Sequence, residues 1–458
     1  MTTPVPESAT PILAGRKGPL DRVLSIFTDM KAGEGGSAIL LALNVFLLLS
    51  AYYILKVVRD TLILAESGAE VASYSAAGQA VLLLLVVPAY GTFASKVNRI
   101  RLVTWATLFF ISHLAIFFLV GNAGYRVGIA FYLWVGIFNV FVVAQFWAFA
   151  NDIYTEGQGK RLFPMIGVGA SLGAWVGTTV ITRTFRSVGP YFAMVIGAVI
   201  LLLCVLLTLW VNRREVGRGD SGQAKKVEKA LGKEGGFGLV MKSPYLRAIA
   251  LLILLLNLVN TTGGYVLNRV VASAADAQVT AGLSAEERDE QRQAFIGEFI
   301  GGVYSWVNLL GLLIQMFLVS RIFQFLGVRG ALFILPCIAL GGYSLLAAMP
   351  LLHLVRVVKI AENSTDYSLM NTIRAALYLP TSREAKYKAK QAIDTFFVRL
   401  GDMLQAGIVF GGVQLGFGIR QFALVNVCFV LIWLAVAVVI YREHKKLTAE
   451  TQPLQAAA

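Results

Sequence analysis

The chain has 458 residues, 57% of them hydrophobic and only 14% charged, with a mean hydropathy of +0.70. That is more apolar side chain than a water-soluble domain can hide, so a soluble fold is excluded. The net charge of +14 raises a nucleic-acid surface as a possibility, but the cations crowd into loops between apolar runs, where they report membrane topology instead.

Apolar stretches long enough for the ~20 residues of a spanning helix recur along the sequence. About twelve are expected, near 37–64, 73–96, 101–121, 127–150, 162–183, 190–212, 246–270, 294–320, 328–349, 351–376, 393–417 and 419–441. Backbone groups in hydrocarbon must close their hydrogen bonds within the segment, which selects helices over alternating barrel strands. The expectation is an all-α polytopic membrane protein of two six-helix bundles. Residues 1–36 are polar and lack the apolar core and cleavage site of a signal peptide, so the first span is expected to stay attached.

Span 1 contains AYYILKVVRDTLIL, residues 51–64. At 100° per residue Tyr52, Lys56 and Arg59 share one face, with Asp60 on its flank. Two cations and one carboxylate leave a net positive patch, which either snorkels to the interface or faces a water-filled cavity that takes an anion. The depth of Lys56 in a span beginning near 37 favours the cavity. Span 4 ends in FWAFANDIY and puts Asp152 at its cytoplasmic end, as a loop-facing or a site group. In span 5, Gly169, Gly173 and Gly177 recur every fourth residue, as do Gly297 and Gly301 in span 8 and Gly407 and Gly411 in span 11. Such stripes let helices approach closely, either as fixed packing or as sliding surfaces.

RREVGRGDSGQAKKVEKALGKEGG follows span 6 and divides the chain. The expected units are an N-terminal segment 1–36, a bundle 37–212, a basic linker 213–245, a bundle 246–441 and a tail 442–458. Loop patterns repeat in outline across the two halves, with SKVNRIRL at 95–102 echoed by SRIFQFLGVRG at 320–330. Lys96, Arg99, Arg101, Lys160, Arg161, Arg321, Arg329 and the run Arg383 to Lys390 alternate with nearly cation-free loops such as AESGAEVA at 65–72. Both termini and the basic loops are therefore expected in the cytoplasm.

Span 10, LLHLVRVVKIAENSTDYSLMNTIRAAL, places Arg356, Lys359, Glu362 and Asp366 on one stripe at steps of three, three and four. An amphipathic surface helix has this pattern too, but here it lies between apolar spans, where a polar stripe lines a path. Alternating signs would pair with each other when the path is empty. Span 11, AIDTFFVRLGDMLQAG, offers Asp394 and the i,i+3 couple Arg399 and Asp402, whose ordinary reading is a local ion pair. His113, His353 and His444 are scattered, and Cys204, Cys337 and Cys428 sit singly inside spans, so neither a metal centre nor a His-based triad is expected. EGQGKRLF breaks the phosphate-loop spacing, because Tyr154 stands where the first Gly belongs and Arg161 follows the Lys. No cofactor and no enzymatic activity are expected.

FWAFANDIYTEGQGKRLFPMIGVGASLGAWVG at 146–177 and DYSLMNTIRAALYLPTSREAKYKAKQAIDTFFVRLGD at 366–402 resemble the signature regions of the plastid and bacterial ADP/ATP translocase family, in outline over nearly the whole chain. The resemblance implies a major-facilitator-like architecture with alternating access. It implies counter-exchange of ATP, ADP or a related nucleotide, driven by gradients, in a bacterial cytoplasmic membrane. The family places a cation in span 1 in a motif like RDTKD, and Arg59 of KVVRD stands at that position; Asp152 corresponds to its acid near the end of span 4. Where the family's span 7 reads NLVE followed by a Trp-Lys pair, this chain has NLVNTTGGY, so that Asn260 replaces the acid. The family's span 11 lysine after a glycine corresponds to Asp402 after Gly401.

The expected substrate-binding set is thus Lys56, Arg59, Asp152, Asn260, Arg356, Lys359 and Arg399, with Asp60, Glu362, Asp366 and Asp402 in gating or coupling. The expected partners are a nucleotide or other organic anion as cargo and the lipid bilayer, with no nucleic acid, and the expected state is a monomer. Two rivals stay open at this point: a proton-coupled facilitator using Asp152, Glu362 or Asp366, and a non-transporting membrane scaffold or sensor.

Overall fold

The computed structural model describes residues 18–25, 28–94, 97–216, 235–279 and 283–456. Fifteen α-helices run through these residues: α1 Pro19–Leu24, α2 Gly35–Ala94, α3 Arg99–Asn122, α4 Gly128–Ile153, α5 Glu156–Val216, α6 Gly236–Lys242, α7 Pro244–Gln278, α8 Ala285–Leu313, α9 Val319–Ala331, α10 Ile334–Ala348, α11 Leu352–Thr365, α12 Asn371–Leu377, α13 Lys390–Ala392, α14 Val398–Gln414 and α15 Ile419–Ala456. Wide π-turns interrupt the second half at Ile314–Leu318, Asp366–Met370, Ala385–Ala389 and Ile393–Phe397, so α8 with α9 as far as a break at Gly327 (φ 64°, ψ 173°), α11–α12 and α13–α14 each form one continuous rod.

Two helices are double length and fold back on themselves. α2 bends at Gly68 (φ 85°, ψ 179°) and α5 at Gly189 (φ 70°, ψ 170°), a region of backbone space that glycine enters without a Cβ penalty. The stretch expected as an open loop between spans 1 and 2 is therefore helical on either side of a single-residue reversal. With those bends counted and the short helices α1 and α6 set aside, the described residues hold twelve rods. Eight helices are long and apolar enough to cross a membrane; α10 is a shorter apolar helix, and the rod through α11 and α12 carries the charged stripe. The protein is a multi-pass membrane protein. The linker expected at 213–245 lies largely outside the described residues, and α15 continues to Ala456, past the apolar limit at 441.

Two apolar clusters organise the rods. One gathers side chains between Met30 and Val211 around Phe110, Phe131, Trp134 and Phe138. The other spans Val240 to Ile440 around Tyr265, Tyr343, Phe422 and Trp433, and also takes Ile63, Leu64, Ala69 and Ala72 from beside the α2 bend. The Gly68 reversal is thus packed into the opposite half.

The glycine stripes sort into three kinds. A Cβ at Gly169, Gly173 or Gly177 would collide with the carbonyl oxygens of Ala42, Phe46 and Ser50, so this stripe joins α5 to α2 backbone against backbone within one bundle. Gly297 and Gly301 of α8 instead accommodate Phe185 and Thr182 of α5, across the two bundles. Gly407 and Gly411 face open space.

Candidate functional site

Polar groups join the bundles from the centre towards the end bearing Gly68 and Gly189. Asn308 Nδ2 donates to the Ala174 carbonyl at 3.3 Å, Thr179 and Ser305 share a 2.7 Å hydrogen bond, and Gln405 donates to Ser73 at 3.3 Å. Nearer the bends, Tyr265 donates to Glu70 at 2.9 Å and Arg292 reaches the Ala65 carbonyl at 3.1 Å, while Arg269 holds the Phe417 carbonyl at 2.8 Å within the second bundle. The bundles are therefore joined by polar contacts at the Gly68 end.

The span 1 cluster sits on the first rod of α2, between Gly35 and Gly68. Arg59 grips Oδ1 of its neighbour Asp60 through Nε and Nη2, both at 2.7 Å, while Tyr304 of α8 donates to Asp60 Oδ2 at 2.6 Å. The Arg59 guanidinium also lies 4.6 Å from the centre of the Tyr132 ring of α4. Lys56 is placed differently. Its ammonium sits 4.1 Å from the Tyr304 ring centre and 5.3 Å from that of Tyr53. Among the described residues no carboxylate oxygen comes within 4.0 Å of it. Ring faces are weak partners for a cation, so one positive charge of this cluster stays uncompensated. Lys56 and Arg59 are both half-buried.

The span 10 stripe does not act as one surface. Lys359 is 1% exposed and Glu362 3%, and they pair at 2.9 Å inside the second bundle. Lys359 spends its other donors on Asn260, at 3.1 Å to the carbonyl and 3.0 Å to Oδ1, while Tyr343 donates to Glu362 at 2.6 Å. Gly263 makes room for this, since a Cβ there would strike the Tyr343 hydroxyl. Asn260 Nδ2 then donates to Asp366 at 3.3 Å. Arg356 leaves the group and packs on the α8–α11 seam, 5.3 Å from the Phe299 ring and against Gly302.

The remaining candidates stand in separate pairs. Arg399 meets Asp402 at 3.3 Å, and Asn257 caps the other carboxylate oxygen at 2.8 Å, so the ordinary i,i+3 pairing holds for that couple. Asp394 pairs with Arg374 at 3.2 Å. Asp152 pairs with Arg99 at 2.9 Å on an exposed surface, at the opposite end of α4 from Tyr132's half. The structure therefore brings Lys56, Arg59 and Asp60 together, and separately Asn260, Lys359, Glu362 and Asp366. Sequence reasoning missed Tyr53, Tyr132, Tyr304 and Tyr343; phenolic hydroxyls inside apolar spans, which need polar partners there, are the signal that marks them.

Twelve rods in two bundles, with polar clusters between and within them, form a major-facilitator-like fold. The chain superposes on a bacterial homologue of the iron transporter ferroportin (TM-score 0.62, 14% identity, covering 89% of this chain and 98% of that one) and on the nucleoside transporter NupG (TM-score 0.59, 14% identity, 90% and 99%). Residues 124–266 match the family model for the TLC ATP/ADP transporter, which takes in the first of the two signature stretches. Relatives agree: the chain is similar to ADP,ATP carrier protein 1 of Chlamydia trachomatis serovar D (23% identity, 65% of this chain and 62% of that protein), and to the chloroplastic ADP,ATP carrier protein 1 of Arabidopsis thaliana (25%, 69% and 53%). A third, ADP,ATP carrier protein 5 of Rickettsia felis, is 23% identical over 80% of this chain and 85% of its own length. The chain spans less than two thirds of the chlamydial and plant relatives it matches.

Proposed function

We propose that this protein is a secondary transporter that exchanges ATP- and ADP-type nucleotides by alternating access, in a bacterial cytoplasmic membrane, with both termini cytoplasmic. The observation that carries the reading is the Lys56 ammonium, held within the first span between tyrosine rings with no carboxylate partner among the described residues. An unpaired cation within a span is costly to keep unless an anion arrives there. A polyphosphate satisfies Lys56 and competes with Asp60 for Arg59. The tyrosine faces around these cations suit a flat base. The names of the relatives point to the same cargo.

In this reading the hydrogen-bonded Gly68 end faces the outside, and cargo enters from the cytoplasmic end. An anion shifts the carrier between states only through unequal affinity for them, and the Arg59–Asp60–Tyr304 link supplies such a difference because cargo contact loosens a bond between bundles. Asp152 with Arg99, and Asp402 with Arg399, act as ion pairs that change partners during the cycle.

The test is a thermal-shift screen of the purified protein against ATP, ADP, other phosphate esters and carboxylates, followed by counterflow in proteoliposomes with each hit. ATP at a hundred times its Kd should add about 2.7 kcal/mol of stability. Lys56→Gln and Arg59→Gln should each weaken that response by tenfold or more in affinity, on the order of the 1.5–3 kcal/mol of a charged hydrogen bond. Stabilisation by a non-phosphorylated solute while every nucleotide fails would overturn the assignment.

A further inference from the structure

α15 presents one line of side chains to lipid. Leu424, Leu431 and Val438 are exposed at steps of seven, which return a helix to nearly the same face, while Trp433, Ala437 and Ile440 are buried on the other side. Exposed apolar groups on a spanning helix meet hydrocarbon. The next residue on the line is Lys445, with Arg442 one turn after Val438, and both are exposed. The lipid-facing surface thus changes from apolar to cationic within two turns, at the end opposite Gly68, where α15 passes the apolar limit at 441.

A third cation arrives from another part of the chain. The reversal at Gly327 turns the backbone towards α10 and brings Arg329 onto the Tyr441 ring, 5.5 Å from its centre; Phe333 meets the same ring at 6.3 Å. Tyr441 precedes Arg442 and lies one turn before Lys445, so it holds Arg329 beside both. Among the described residues no carboxylate oxygen comes within 4.0 Å of Arg329, Arg442 or Lys445. The one acid of that turn, Glu443, is engaged by Lys446 at 2.7 Å. Other cations at this end have their acids: Arg99 meets Asp152, Arg161 meets Glu34 and Arg374 meets Asp394. Just ahead of the reversal, Phe325 and Leu326 are 84% and 54% exposed, an apolar pair at a loop tip.

We propose that Arg329, Arg442 and Lys445 bind the phosphate of an anionic phospholipid, whose acyl chains lie along the Leu424, Leu431 and Val438 line while Phe325 and Leu326 enter the same leaflet. Three cations repel one another until an anion sits among them, and a lipid phosphate resides at the depth where the apolar line gives way to water. A free phosphate supplies the charge but gains nothing from the apolar line, which favours the lipid. The inference does not depend on which cargo the protein carries.

Native mass spectrometry of the full chain, released from micelles holding phosphatidylglycerol and phosphatidylcholine in equal amounts, counts the lipids retained. Wild-type protein should retain phosphatidylglycerol in preference. Each cation removed should weaken that retention about fivefold, so Arg442→Gln with Lys445→Gln should lose roughly twenty- to thirtyfold. Arg329→Lys should keep it and Arg329→Gln should not. Arg101→Gln with Arg213→Gln removes the same charge from exposed positions at the same end of the first bundle and should leave retention as in the wild type. Equal retention of the two lipids would overturn the proposal, as would an equal loss in the Arg101 and Arg213 pair, which marks summed charge in place of a site. Displacement of phosphatidylglycerol by inorganic phosphate at constant ionic strength would also overturn it, in favour of a free-anion site. Should Arg329→Gln fail to fold, the exposed Arg442 and Lys445 pair decides.

Discussion

The hydroxyl of Tyr304 on α8 donates to Oδ2 of Asp60 on α2 at 2.6 Å, across the interface of the two bundles. The same phenol presents its ring face to Lys56 at 4.1 Å. One side chain of the second bundle therefore contacts both signs of charge in the first.

Tyr304→Phe keeps the ring and removes the donor. A hydrogen bond to a charged group contributes roughly 1.5–3 kcal/mol, so its loss should move the equilibrium away from the joined Gly68 end by roughly ten- to a hundredfold. Spin labels at Tyr125 and Leu415, exposed positions at that end in opposite bundles, report the change as a longer distance population. With Cys337 and Cys428 replaced by Ala, an unchanged distance distribution would show that the bond does not hold the seam.

Lys359 and Glu362 form a dry pair, with side chains 2% and 4% exposed. Removing one partner leaves an uncompensated buried charge, so Lys359→Met should destabilise the protein by about 3–5 kcal/mol. Lys359→Met with Glu362→Leu should recover most of that loss, since two apolar groups need no partner. Thermal unfolding in detergent measures both, and a double variant as unstable as the single one would contradict the pairing argument.

Gly173 and Gly301 should fail differently. Gly173→Val pushes α5 off the Phe46 backbone within one bundle and should lower the melting temperature or prevent folding. Gly301→Val meets Thr182 across the bundles and should leave far-ultraviolet dichroism native while slowing transport. Equal loss of folding in both variants would show that the two seams are structurally equivalent.

At the end opposite Gly68, Glu34 meets Arg161 at 2.8 Å and accepts from the Lys31 amide at 2.9 Å and from Gln158 at 3.2 Å. Burial opposes the charged form, but these donors outweigh it and hold the Glu34 carboxyl below the ordinary carboxylate value. A lowered folded value stabilises the protein above the unfolded value, and that contribution is lost as pH falls through the folded one. Glu34→Gln should therefore be less stable than wild type at neutral pH, with the gap closing in acid. A gap that is independent of pH, measured by thermal unfolding across the acid range, would rule this linkage out.

Hydropathy and charge position determined the class of protein before any coordinates: lipid-length apolar runs can only be helices, and the unusual ions of AYYILKVVRDTLIL marked the region where a charge has to be accounted for. The helical stripe in span 10 was equally visible, because i,i+3 and i,i+4 spacing fixes which residues share a face. The tertiary structure alone decided which of these ions are sealed and which stay open. Lys359 and Lys56 look alike in sequence, each a cation with an arginine three residues away and an acid within a turn. A glutamate one turn along α11, an asparagine on α7 and a glycine that clears the space enclose the first, while the second, among the described residues, meets tyrosine faces brought in from α8 and from its own helix and no carboxylate. Periodicity determines the face a side chain takes on its own helix, but its partners come from helices distant in the chain, and their approach depends on packing summed over the whole bundle.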